Sequence, residues 1–219
     1  MQKHTKRRIG ALLGKKFSHV TKVELGCGDT KREGFFGIDI LPSPSVDLVL
    51  NIEKHKLPFP DNSIDHIYSS HTFEHLTNYR FVLREIMRVA KPDALVEIWT
   101  PYGKSNDGML FGHFTFLSET SFKHICFEFD RFFLGQTHGY LLWEKTHYNL
   151  YPDIIKQLKE RKIPLDFALE HLFNIALEWG VFLRVKKDAA KAPGPQYPGA
   201  VFMYGRGNVV KTDHPADIS

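Results

Sequence analysis

The stretch Val23-Glu24-Leu25-Gly26-Cys27-Gly28, followed by Gly37-Ile38-Asp39-Ile40, constrains the fold of this chain more than any other. A short apolar strand runs into a glycine turn, and a second apolar strand ends on a carboxylate. Glycine carries no Cβ, so the backbone can turn sharply there and approach a ligand closely. A carboxylate at the tip of the next strand can accept two hydrogen bonds from a ribose diol. Together they describe the edge of a doubly wound sheet where an adenosine-containing cofactor lies.

The sequel has a fixed order. Leu57-Pro58-Phe59-Pro60-Asp61-Asn62-Ser63-Ile64-Asp65 leads to Ser70-His71-Thr72-Phe73-Glu74-His75-Leu76. Then come Arg84-Glu85-Ile86-Met87-Arg88-Val89-Ala90-Lys91-Pro92 and Ala94-Leu95-Val96-Glu97-Ile98-Trp99-Thr100-Pro101. In this order and spacing the chain resembles class I S-adenosylmethionine (SAM) dependent methyltransferases, in particular the small UbiE-like domains of methyltransferase type 11. The resemblance covers roughly residues 20–102. It implies SAM as cofactor and transfer of a methyl group to an acceptor.

The expected fold is α/β, a doubly wound, mostly parallel, seven-stranded Rossmann-like sheet with an antiparallel last strand. Strands are expected at 22–26, 36–40, 46–50, 64–69, 95–100, 180–185 and 200–204. The link Asp29–Phe35 is too short for the usual crossover helix, and Thr30 stands where the third glycine of the family's G-x-G-x-G would be. Phe81, Val82, Leu83, Ile86 and Val89 mark the apolar face of a helix over 78–89, which Pro92 stops. Ser118 is placed to cap another helix, and further helices are expected near 153–161 and 165–176. Residues 1–20 read as a basic helix or arm, 21–211 as the catalytic domain, and 212–219 as a tail. The aromatic-rich stretch of about 103–178 reads as an insertion lying over the substrate as a lid.

The resemblance gives the cofactor site its residues. Glu24 helps to hold the methionine end, while Gly26, Cys27 and Gly28 line the methionyl and ribose portion. Asp39 takes the ribose hydroxyls, with Ile40 beside the adenine. Asn51 and Ile52 sit where the family has an acid-aliphatic pair reaching adenine N6, although Asn51 also reads as an ordinary turn residue. His71 is expected at the methionyl amine or over the methyl, with Glu74 and His75 structural. His71 and His113 are the candidate catalytic residues. His113 lies beyond the fifth strand, where it could take a proton from a hydroxyl or amine acceptor; beside Phe114 and Phe116 it could equally be packed structure.

Read alone, His71 to His75 is H-x-x-E-H, an inverted zinc-protease motif, but it follows a strand rather than opening a helix. No histidine and carboxylate cluster shows metal spacing along the sequence, so no metal is expected. Six basic residues and no acid lie in 1–16, which leaves the rest of the 219-residue chain at −2 within a total of +4. That arm reads as a solvated helix or as a contact to RNA or anionic lipid. Cys27 and Cys126 sit in unrelated contexts and suit a reducing cytoplasm. The expected partner is a small or medium-sized acceptor methylated at oxygen or nitrogen. The competing readings are an RNA methyltransferase using the arm, and a SAM-binding module without catalysis, for which Thr30 and the Asp93-Ala94 pair in place of Gly-Gly leave room.

Overall fold

The computed structural model describes residues 17–135, 139–187, 199–204 and 208–210. Most of the expected basic arm, the loop at 192–195 and the tail lie outside these residues. Five parallel strands form one half of the sheet: β1 (Lys22–Leu25), β2 (Phe36–Asp39), β3 (Leu48–Val49), β4 (Ile64–Ser70) and β5 (Ala90–Pro101). Four more complete it: β6 (Gly139–Leu150), β7 (Ala176–Lys187), β8 (Gly199–Tyr204) and β9 (Asn208–Val210). The order across the sheet is β3-β2-β1-β4-β5-β7-β6-β8-β9.

The α/β, mostly parallel, doubly wound reading holds, but its second half is corrected. The sheet has nine strands among the described residues rather than seven. Two strands run against the rest: β9 at the edge, and β7, at 176–187, which lies between β5 and β6 and is antiparallel to both. The strand at 199–204 runs parallel to β6, and β9 turns back against it. The stretch assigned to a lid over 103–178 therefore contains a sheet strand. Within β6, Leu141, Trp143, Thr146 and Tyr148 are buried. A register shift between Trp143 and Lys145 breaks their alternation, so the period-2 signal fails at the bulge.

Phe17 and Val20 close the amino-terminal side of the core. The Phe17 ring meets Phe36 and Phe59 edge-on, with centroids 5.2 and 6.1 Å apart. The helix α1 (Tyr79–Val89) buries Val82, Leu83, Ile86, Met87 and Val89 on one stripe. It gives way directly to β5, because a proline at 92 disfavours helix in the residue before it. Arg88 on α1 is a clasp for the Leu57–Asp61 segment. It donates to the carbonyls of Leu57 (2.8 Å) and Phe59 (2.9 Å) and to Asp61 Oδ1 (2.7 Å), and pairs with the buried Glu85 at 2.6 Å. Glu85 in turn accepts the Leu57 N–H at 2.9 Å. The spaced L-P-F-P-D and E-x-x-R signals are thus one hydrogen-bonded unit.

Asp93 has a φ of +62°. A short polar side chain tolerates this left-handed conformation better than most. Its carboxylate pairs with Lys186 and its carbonyl accepts Arg184 Nη1 at 3.1 Å. The turn before Ala94 is thus made without glycine.

Beyond β5 come α2 (Glu119–Lys123), with Ser118 at its N-cap as expected, a π-helical turn over 124–128, α3 (Asp130–Leu134), α4 (Ile154–Glu160) and α5 (Leu165–His171). No helix among the described residues is long and apolar enough to cross a membrane.

Candidate functional site

The glycine turn leaves β1 with Gly26 at φ +72° and Gly28 at φ +53°, conformations that glycine adopts without strain. The N–H groups of Gly26 and Cys27 both point to the Ile38 carbonyl, at 2.8 and 3.2 Å. Thr72 sits directly over Gly26, so that a Cβ there would lie 1.9 Å from Thr72 Oγ1. At Gly28 a Cβ would meet nothing within 4 Å. The turn is therefore closed on one side by Thr72 and open at Gly28.

Asp39 faces that turn from the tip of β2. Its Oδ2 accepts the Gly28 N–H at 2.9 Å and its Oδ1 accepts the Leu41 N–H at 2.9 Å. The main chain thus aims the carboxylate, and each oxygen keeps a lone pair. Ile40 and Leu41 beside it are 59% and 70% exposed, an apolar flank uncovered by protein. Ser43 and Ser45 tie the following loop back, donating to the carbonyls of Gly28 (2.9 Å) and Asp29 (2.6 Å). An open glycine cradle, an aimed carboxylate and a bare apolar flank fit an adenosine-bearing cofactor.

As the spacing required, no helix fills the link between β1 and β2. Its place over the sheet is taken by Arg32, whose guanidinium lies 4.4 Å from the Tyr68 ring centroid and pairs with the buried Glu97 at 3.2 Å. The Arg32 N–H donates to Glu24 Oε2 at 2.6 Å. Glu24 is buried, which pushes its carboxyl pKa up, and this oxygen serves the link. Cys27 is buried, and its thiol is pushed up to about 11, first by burial and then by Glu24 and Asp39; such a thiol is not a nucleophile at neutral pH. Asn51 Oδ1 accepts the Glu53 N–H at 2.9 Å, the geometry of a turn asparagine. Ile52 is buried behind it.

At the carboxyl end of β4 the chain turns at His71, φ +50°. Its Nε2 lies 2.9 Å from Glu178 Oε2, on β7, and its Nδ1 lies 3.4 Å from Glu74 Oε1. These carboxylates, Glu178 first, raise its pKa to about 10. The segment His71–His75 is a single 3₁₀ turn over Phe73–His75. His71 turns to Glu178 and His75 to the loop beyond β5, so the inverted protease geometry is not formed. Glu74 is 2% exposed. The loop 107–116 is laced to it, with the N–H groups of Phe114 and Thr115 donating to the Glu74 carbonyl at 2.7 and 3.1 Å. This lacing brings His113 against His75, with ring centroids 4.8 Å apart.

Tyr102 is wholly buried, and its hydroxyl donates to Glu119 Oε1 at 2.8 Å. His147 lies against Trp99 and Phe182, and burial lowers its pKa to about 4. An apolar cavity of about 140 Å³ opens between α1 and the segment 115–133, lined by Phe73, Leu83, Leu117, Phe122 and Ile125 among others. Phe111, Phe114 and Phe116 are exposed on the neighbouring loop. Thr72, Arg32 and Glu178 are the site residues that sequence reasoning missed. Glu178 is 107 positions from its partner, beyond any local pattern.

Residues 43–98 match the family model for a methyltransferase domain. No curated protein matches. Similar solved structures include a SAM-dependent methyltransferase from Archaeoglobus fulgidus, 16% identical over 81% of this chain and 93% of that one, with a TM-score of 0.49. Another is the YcgJ protein of Bacillus subtilis, 16% identical over 83% and 99%, with a TM-score of 0.46. These likenesses are distant. The matched segment runs from the loop after β2 to β5, through the Arg88 clasp and the His71–His75 turn. Together with the glycine turn and Asp39, it is the part of the chain that is similar to a methyltransferase domain.

Proposed function

We propose that the enzyme methylates an oxygen or nitrogen of a small or medium-sized acceptor, part of which enters the cavity between α1 and the segment 115–133. The observation that carries this reading is that apolar cavity of about 140 Å³. A dry cavity of about this size takes a benzene-sized group, which suits a ring or short apolar limb of the acceptor. Exposed Phe111, Phe114 and Phe116 extend the apolar surface outwards.

In this reading Asp39 holds the ribose diol, and Gly26, Cys27 and Gly28 present main chain to the methionyl and ribose portion. Ile40 flanks the adenine, with Ile52 and Asn51 behind it. Glu24 acts chiefly by fixing the link through Arg32. Both ring nitrogens of His71 face carboxylates, so His71 positions the turn and takes no proton. SAM, when bound, supplies an electrophilic sulfonium methyl with a good leaving group. What remains for the protein is alignment and exclusion of water.

Asp39→Ala removes a hydrogen-bonded carboxylate worth about 1.5–3 kcal/mol. SAM affinity by calorimetry should fall roughly tenfold to a hundredfold. An unchanged affinity in a folded variant would overturn the cofactor placement. With methyl-labelled SAM, label should pass to members of a panel of small phenols, alcohols and amines and not to RNA; labelling of RNA alone would overturn the acceptor class.

A further inference from the structure

We propose that Glu74, His75 and His113 bind a divalent transition-metal ion of the zinc class. One ligand atom from each of the three lies within 4.8 Å of the others. His75 Nδ1 is 2.9 Å from the Gly112 carbonyl and His113 Nδ1 is 3.2 Å from the Gly108 carbonyl. A carbonyl can only accept, so each Nδ1 carries the hydrogen and each Nε2 presents a lone pair. This is the arrangement by which metal-binding histidines are oriented, one ring nitrogen donating to the main chain while the other ligates. Two histidines in one cluster are held in that tautomer.

The carboxylate supplies a second, independent observation. Glu74 is 2% exposed, and its Oε2 has no hydrogen-bond partner. A buried carboxylate oxygen without a partner is costly, and a cation would meet it. The other oxygen is engaged by His71 at 3.4 Å, which leaves Oε2 as the ligating atom.

Two imidazole nitrogens and one carboxylate oxygen form a donor set that zinc takes, with a fourth position for water or for a heteroatom of another molecule. At bond lengths of about 2.0–2.2 Å, tetrahedral ligands lie about 3.4 Å apart. Closing from 4.8 Å calls for movement of the side chains, of which His75 is exposed and His113 half-buried. The main chain is already set, since the loop carrying His113 is hydrogen-bonded to the Glu74 carbonyl. His113 is thereby a ligand rather than the proton acceptor expected from its position. The ligands all come from this chain, so the proposal stands apart from the identity of the acceptor.

The test uses the full chain, stripped with a chelator and titrated with Zn²⁺ by calorimetry and with Co²⁺ by visible absorption. Expected are one ion per chain and the intense absorption of low-coordinate cobalt. His113→Ala and His75→Ala should each weaken binding by at least about a hundredfold, the upper end of what losing even an outer-shell partner costs. Glu74→Gln should weaken it in the same direction, and circular dichroism checks that each variant is folded. His124→Ala, which removes the separate His124–Glu128 pair at 3.0 Å, should leave affinity unchanged. The proposal is overturned if wild type binds no Zn²⁺ saturably, if both histidine variants bind like wild type, or if His124→Ala abolishes binding. A parallel SAM titration reports on the cofactor site separately.

Discussion

Trp179→Ala is expected to lower the free energy of unfolding by about 3–5 kcal/mol, the cost of emptying a large aromatic site. Trp179 is fully buried in β7. Its ring lies among Tyr102, Phe122, Trp143 and Tyr148, with centroids 5.8, 5.5, 6.4 and 6.0 Å away. These neighbours come from three different segments, the end of β5, α2 and β6, so no single one can shift to fill the space. The indole N–H also donates to the buried Thr100 Oγ1 at 3.1 Å, which would lose that bond. Against a typical domain stability of about 5–15 kcal/mol, the loss is a large share. Urea denaturation followed by circular dichroism measures it. Trp179→Phe should recover most of the packing and leave only the hydrogen-bond part. A loss below about 1 kcal/mol for Trp179→Ala, the range of a tolerated swap, would show that this aromatic cluster does not organise the second half of the sheet.

Gly26→Ala should remove measurable SAM binding and destabilise the fold by roughly 2–5 kcal/mol. Two causes add. A left-handed conformation costs an L-residue about 1–2 kcal/mol, and Gly26 sits at φ +72°. The new Cβ would then meet Thr72 Oγ1 at 1.9 Å, and forcing such a contact costs about 1–3 kcal/mol more. Thr72→Gly in the same chain should recover the steric part and leave the backbone part, which separates the two. Calorimetric titration with SAM and chemical denaturation read the two effects. Gly26→Ala with wild-type affinity would mean that the cofactor does not lie against this turn.

The first half of the molecule was legible because its signals are local. Val23 and Leu25 end at a glycine turn, Ile38 runs into Asp39, and the α1 stripe repeats at helical spacing. The short link from Asp29 ruled out a crossover helix by length alone. In the second half the strands at 180–185 and 200–204 were found, while β6 and the strand order were missed because tertiary context outweighs pattern there. In β6 the bulge at Glu144 interrupts alternation, and the aromatic and histidine content suggested a lid. The placement of β7 between β5 and β6 follows from pairing partners that no spacing encodes. At the site, Asp39 and the glycines were visible, while Thr72 over Gly26 and Glu178 beside His71 were not. His113 was noticed for its position beyond β5, but its meeting with His75 depends on the lacing of the loop 107–116 to Glu74.

The insertion of β7 between β5 and β6 also has a consequence for the order of assembly during synthesis. β5 ends at Pro101 and its neighbour on that side begins only at Ala176. At roughly 5–20 residues per second, about 4–15 s pass in which the β5 edge is made and has no correct partner. β6 emerges in that interval and runs parallel to β5, so it is the nearest wrong partner available. Direct β5–β6 pairing would close the slot that β7 must fill. The productive route is for β6 to wait, pair with β7 as an antiparallel hairpin, and dock as a finished unit. Release of the nascent chain before Lys187 would leave an apolar strand edge open, the surface on which chains template one another.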